Sequence, residues 1–288
     1  MFDGFTRAEI ATSDATIITL HGGAGPPLLL LHGYPQTHVM WHKVAPLLMR
    51  DFTIVATDLR GYGDSSKPES GADHAAYSKR AMAQDQVEVM SHLGFERFFV
   101  AGHDRGGRVA HRMALDHPRH VKKLAVLDIV PTHRLYRDST REFATAYFWW
   151  YFLVQPAPLP ETLIGNSVEF WLSEKFGKAA NGAITSAAFA EYLRCYRDTQ
   201  TIHASCEDYR AAASIDLVHD EADMNRKVEC PLLALWSEHA PMHRFYDVAA
   251  TWRERATHVT GKALPGTHYF VEEIPELIAT ELTRFFAS

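Results

Sequence analysis

Several large protein classes are excluded by what this chain lacks. It has only three cysteines, Cys195, Cys206 and Cys230, in 288 residues. They are odd in number, scattered and without metal-ligand spacing, so they read as free thiols of a reducing compartment rather than a disulfide framework. Lysine and arginine form no block, and the formal charge is -6. That balance argues against a general nucleic-acid or anionic-membrane binder. No apolar run approaches a membrane span. Met1 to Ile10 alternates charged and apolar residues and carries no signal-peptide core, so the cytoplasm is the expected compartment. There are no repeats or low-complexity tracts.

What is present is ample core material. Hydrophobic residues make up 47% of the chain and charged residues 22%, which suits one α/β domain with an insertion. Short apolar runs recur at wide spacing. Ile17 to Leu20 and Leu28 to His32 read as an early strand pair, with Gly22, Gly23, Gly25 and Pro26 as the turn. Ile54 to Asp58, Phe98 to Gly102, Leu124 to Val130 and Leu232 to Trp236 read as buried parallel strands. Helical patterns lie between several of them, such as Arg80 to Leu93 and Arg108 to Asp116. Strand–helix alternation predicts a mostly parallel sheet covered on both faces. Ligands then bind at the carboxyl ends of the strands.

The alternation breaks from about His133 to Val218. This stretch is rich in aromatics (Tyr147, Phe148, Trp149, Trp150, Tyr151, Phe152, Phe170, Trp171) and holds a proline-rich turn, Gln155 to Pro160. It reads as an inserted helical cap over residues 133–218, dividing a core of residues 1–132 and 219–288.

The most informative stretch is Val100-Ala101-Gly102-His103-Asp104-Arg105-Gly106-Gly107-Arg108. It is an apolar strand ending in Gly-x-Asp-x-Gly before a helical run, the nucleophile-elbow pattern with a carboxylate where many hydrolases carry serine. Glycines permit the sharp turn. An Asp before a helix is often only an N-cap, but the flanking glycines and the strand favour a nucleophile. A carboxylate attacks saturated carbon, displacing halide or opening an epoxide, and forms an ester. Arg105 and Arg108 place positive charge beside it. His32-Gly33-Tyr34-Pro35 follows a strand, and the Tyr34 and Arg105 amides are the candidates for an oxyanion hole. Among 17 histidines, His268 stands out in Gly266-Thr267-His268-Tyr269-Phe270, late in the chain after a turn. It suits the base that activates water. Asp128 and Glu238, both at strand ends, remain as candidates for the acid that orients it. His219-Asp220-Glu221-Ala222-Asp223 holds potential metal ligands but reads as a solvated loop or helix start. No metal or cofactor is expected.

These residues resemble the α/β-hydrolase superfamily over nearly the whole chain, and within it the haloacetate (fluoroacetate) dehalogenases. The diagnostic piece is His103-Asp104-Arg105-Gly106-Gly107-Arg108. Epoxide hydrolases and haloalkane dehalogenases usually carry an aromatic after the nucleophile. His32 to Thr37, Asp58 to Ser66 and Cys206-Glu207-Asp208-Tyr209-Arg210-Ala211 support the match. The resemblance implies Asp104 as nucleophile, His268 as base and Asp128 as the orienting acid. It implies that Arg105 and Arg108 bind the substrate carboxylate, in keeping with the paired geometry arginine offers. It also implies a halide pocket, in which Trp150 and Tyr209 match the family's tryptophan and tyrosine. The histidine expected before the tryptophan is absent, and Trp149 stands there. An indole is bulkier than imidazole and offers one N–H, which favours C–Cl and C–Br cleavage over C–F. Trp149 either donates to a larger halide or packs in the cap.

The expected partners are therefore a short 2-haloacid, water and halide, with no nucleic acid or membrane; a homodimer is compatible with the sequence. Two other readings compete. An epoxide hydrolase would share Asp104 and His268, but a neutral epoxide leaves the arginines nothing to bind. A non-catalytic binding protein of the same fold would show a damaged triad, whereas every triad position is filled.

Overall fold

The computed structural model describes residues 1–177 and 182–288; residues 178–181 of the expected cap lie outside them. Eight strands form one sheet: β1 (Thr6–Ala11), β2 (Thr16–Gly22), β3 (Pro27–Leu31), β4 (Thr53–Thr57), β5 (Phe98–His103), β6 (Val121–Leu127), β7 (Leu232–Ser237) and β8 (Val259–Leu264). Their order is β1-β2-β4-β3-β5-β6-β7-β8. β1 with β2 and β2 with β4 are antiparallel, and all later pairs are parallel.

The central strands are apolar throughout because both faces are covered. Side chains alternate across the sheet with period two. Leu29, Leu31, Val100, Leu124 and Val126 enter the core on one face. Leu28, Leu30, Ala101, Ala125 and Leu127 enter the core on the other. Each leucine fully buried this way contributes roughly 1.5–3 kcal/mol.

The expected pairing of the early strands does not occur. β2 lies between β1 and β4, and β3 between β4 and β5. Leu28 to Leu31 are fully buried, so this strand belongs in the middle of the sheet, where helices cover both faces. β2 carries exposed or half-exposed residues at both ends and lies next to the edge. β1 and β8 escaped the sequence reading. Each is an edge strand, solvated on much of its length, and neither has a continuous apolar run.

Between β6 and β7 every described element is helical, from Thr132–Arg137 to Ile215–Ala222. This segment covers the carboxyl ends of the strands. Trp171 Nε1 donates to Tyr34 Oη at 2.7 Å, and Tyr192 Oη donates to Glu272 at 2.6 Å. Residues 219–223 are not a solvated loop. They end the helix Ile215–Ala222, and Asp223 accepts from the buried Arg112 at 2.6 Å. Among the described residues, no helix is long and apolar enough to cross a membrane.

Candidate active site

β5 delivers Asp104 to the carboxyl edge of the sheet, and the helix Arg105–Asp116 starts at the next residue. Asp104 has φ +46° and ψ −115°, a conformation that L-residues avoid. The turn closes because glycine stands where backbone crosses backbone: a Cβ on Gly106 would collide with the His32 carbonyl. Gly33 lies against Asp104 itself, where a side chain would strike the Asp104 Cβ. That contact lets the Tyr34 N–H donate to Asp104 Oδ1 at 3.0 Å. Arg105 opens the helix, so its N–H has no partner four residues back.

His268 follows β8. Its Nδ1 lies 2.5 Å from Asp128 Oδ2, and its Nε2 lies 3.9 Å from Asp104 Oδ2. Asp128 follows β6 with φ +54° and accepts from the Ser237 N–H at 3.0 Å. Glu238 points away and lies 3.5 Å from His239. Of the two carboxylates left open by the sequence, Asp128 is therefore the one on the histidine. Burial disfavours a charged His268, but the hydrogen bond and charge of Asp128 outweigh it and raise the pKa. Burial likewise opposes ionisation of Asp104, and the charges of His268 and Arg105 more than compensate, so its pKa is lowered. Beside them His103 donates from Nε2 to the His268 carbonyl at 2.8 Å. Burial and the His268 charge lower its pKa to about 4, so it stays neutral.

Arg105 and Arg108 are both buried next to the nucleophile. Arg105 donates through Nε and Nη2 to Asp208 on the cap helix Thr199–Ala212. Arg108 donates through Nη1 to the Val130 carbonyl at 2.9 Å and to Thr132 at 3.0 Å. The Trp150 ring packs on both guanidinium groups, 5.2 Å from Arg105 and 4.5 Å from Arg108, and Tyr209 lies 4.2 Å from Arg105. Four buried donors in this cluster have no partner: Arg105 Nη1, Arg108 Nε, Trp150 Nε1 and Tyr209 Oη. Burial, together with the Asp104 charge, pushes the Tyr209 phenol well above its usual range, so it remains a donor. Buried donors left unpaired are costly, and a cluster of them beside a nucleophile is shaped for an anion.

Trp149 stands apart from that cluster. Its ring packs at a tilt against Tyr147, with centroids 4.5 Å apart, and lines a cavity of about 520 Å³ together with Trp171, Lys175, His268 and Tyr269. Lys175 was not anticipated. Its Nζ lies 2.9 Å from the centre of the Trp149 ring, without a hydrogen bond or ion pair to any described residue. Burial lowers its pKa well below the usual lysine range, and the Asp104 charge only partly restores it. A lone lysine on a helix gives no sequence signal. Asp208, also missed as a functional residue, lies inside the Cys206 to Ala211 motif.

Comparison with known proteins bears on the fold and the family. The family model described as alpha/beta hydrolase fold matches residues 26–268. A fluoroacetate dehalogenase of Burkholderia sp is 48% identical, covering 100% of this chain and 95% of its own. A soluble epoxide hydrolase of Corynebacterium sp. (strain C12) is 32% identical, covering 92% and 91%. The crystal structure of ALR0039 from Nostoc sp PCC 7120 superposes with a TM-score of 0.98 at 58% identity, covering 99% of each chain. With its elbow, its sheet order and a full-length relative at 48% identity, the chain belongs to the α/β-hydrolase family and, within it, to the fluoroacetate dehalogenases.

Proposed function

We propose that this enzyme hydrolyses short 2-haloacids such as haloacetate to the 2-hydroxy acid and halide, through an ester on Asp104. The observation that carries the reading is the set of four unpartnered buried donors around an ionised carboxylate nucleophile. In this reading the unpartnered Arg105 Nη1 and Arg108 Nε take the substrate carboxylate. The unpartnered Trp150 Nε1 and Tyr209 Oη take the departing halide.

Tyr34 N–H holds Asp104 Oδ1, which leaves Oδ2 as the attacking oxygen. Oδ2 displaces halide from the α-carbon, the C–O bond forming as the C–halogen bond breaks. Halide leaves with the bonding pair. Water then attacks the Asp104 carbonyl carbon while His268 Nε2 takes its proton, with Asp128 stabilising the imidazolium. Negative charge develops on Oδ1, already at the Tyr34 amide, where a donor in place before the reaction is worth most. Collapse breaks the bond from the Asp104 carbonyl carbon to Oδ2, the His268 imidazolium returns its proton to the departing alkoxide to give glycolate, and the remaining proton passes to solvent as the Asp104 carboxylate is restored. Trp149 lies outside that donor cluster, against Tyr147 and Lys175, and is the candidate for tuning halide preference through the cavity it lines beside His268.

The test is halide release from fluoro-, chloro- and bromoacetate by wild type and Asp104→Ala. Wild type is expected to release halide and the variant none. Single turnover in ¹⁸O-labelled water is expected to label Asp104. Release of no halide from any of the three ends this reading, and turnover of an epoxide instead would make the protein an epoxide hydrolase.

A further inference from the structure

Asp208 is fully buried on the cap, yet its side chain serves the core. Its carboxylate accepts from Arg105 Nε at 2.8 Å, from Arg105 Nη2 at 2.6 Å, from Tyr62 Oη at 2.7 Å and from the Lys79 ammonium. Its backbone carbonyl accepts from Arg105 Nη2 as well, at 2.8 Å. A guanidinium is planar, and a two-nitrogen grip by a carboxylate sets the plane and its rotation together. With Nε and Nη2 engaged, the one nitrogen left over is Nη1, which has no partner.

We propose that Asp208 is a positioning residue for substrate recognition: it clamps Arg105 so that Nη1 alone is presented to the substrate carboxylate. This rests on the reading of the substrate as a haloacid. It also means that seating of the cap helix completes the carboxylate site, since the clamp comes from the cap and the arginine from the elbow. Burial opposes the charge on Asp208, but Arg105 and Lys79 overcome it and hold its carboxyl well below the usual range, so the clamp stays ionised wherever the enzyme works. The Tyr209 ring, one residue on, covers the same guanidinium at 4.2 Å. One turn of the cap helix thus supplies both the clamp for Arg105 and a donor of the proposed halide pocket.

The test compares chloroacetate with chloroacetamide, which carries the same leaving group and no charge. In Asp208→Asn, kcat/KM for chloroacetate is expected to fall by about 30-fold or more, mostly through KM, as when one partner of a buried charged pair is removed. The loss on chloroacetamide is expected to be several-fold smaller. Equal losses on both substrates would assign Asp208 to the structure alone and overturn the proposal, as would no loss on either. If Asp208→Asn does not fold, Asp208→Glu answers the question, because it keeps the charge but moves the clamp outward by a methylene. It is expected to lose efficiency on chloroacetate selectively, and a parallel loss overturns the proposal. Should wild type release no chloride at all, the dehalogenase reading fails. Calorimetric binding of acetate then decides about Asp208: weaker binding in the variant supports the clamp, and unchanged binding removes it.

Discussion

Asp104 shows what the elbow costs and what it gives. Its positive φ places a carboxylate at the end of a buried strand in a conformation an L-residue resists, at a cost of order 1–3 kcal/mol. Glycine adopts that conformation without penalty. Asp104→Gly is therefore expected to unfold at higher temperature than Asp104→Ala, by a difference of about 1 kcal/mol, with neither variant active. Equal melting temperatures would mean that the backbone relaxes at the elbow. The unpartnered donors make a second residue-scale prediction. Tyr209→Phe keeps the ring and loses the hydroxyl. It is expected to lower kcat on fluoroacetate by roughly 10²-fold, in line with loss of one aimed donor. The loss on bromoacetate is expected to be smaller, because bromide needs less help to leave. The same loss on both would place the hydroxyl outside the halide pocket. Trp149 lies apart from that cluster, in the cavity beside His268, and Trp149→His is expected to raise fluoroacetate turnover relative to chloroacetate; an unchanged ratio would free position 149 of any role in halide preference.

At the scale of elements, the strand–turn–helix of the elbow was legible because its signal is local. Phe98 to Gly102 reads as a buried strand, the glycines mark the turn, and the helix follows within a residue. The sequence pattern places the helix start near Arg108, but the helix begins at Arg105, because glycines at 106 and 107 hide its first turn. The cap helix Val168–Phe176 carries the opposite lesson. It brings Lys175 into the cavity shared with His268, and in its protonated form, which burial disfavours, the lysine acts to lower the pKa of that histidine. Removing the charge raises the histidine pKa, and the base must be neutral to take a proton from water. The acid limb of the pH–rate profile is thus expected to move to higher pH in Lys175→Met. A limb that stays in place, or moves to lower pH, would rule out this influence.

At the scale of the whole molecule, cap and core share one continuous apolar cluster, and buried polar groups cross the same boundary. Glu272, four residues past His268, accepts from Gln36 in the core at 2.8 Å and from Tyr192 in the cap at 2.6 Å. Burial raises its pKa to about 7, and the bonds from Tyr192 and Gln36 offset that only in part. The unfolded chain would lose this proton near the ordinary glutamate pKa, about 4.3. Between that value and about 7 the folded state binds the extra proton, so its stability declines as pH rises through this window and levels off above it. Glu272→Gln removes the dependence. Its melting temperature is expected to gain on wild type from pH 5 to pH 8, by an amount equivalent to on the order of 2–3 kcal/mol. Melting temperatures that run parallel across that range would show that Glu272 ionises without cost.

The chain order of the chemistry was already present in the sequence: a carboxylate in an elbow, arginines one and four residues on, a late histidine after a turn, an aromatic-rich insertion between two core strands. Each rests on neighbours along the chain, where strand, turn and helix are set by side chains a few residues apart. Folding decided what depends on distant segments. It placed β3 between β4 and β5 rather than beside β2, because only a central position covers both faces of Leu28 to Leu31. It brought Asp128, and not Glu238, to His268 across 140 residues. It set Asp208 on Arg105 from 103 residues away and left Arg105 Nη1 unpaired. Residue type announces that a group can donate, accept or attack. Which groups find partners, and which remain unpaired beside the nucleophile, is decided only by how the cap packs on the sheet.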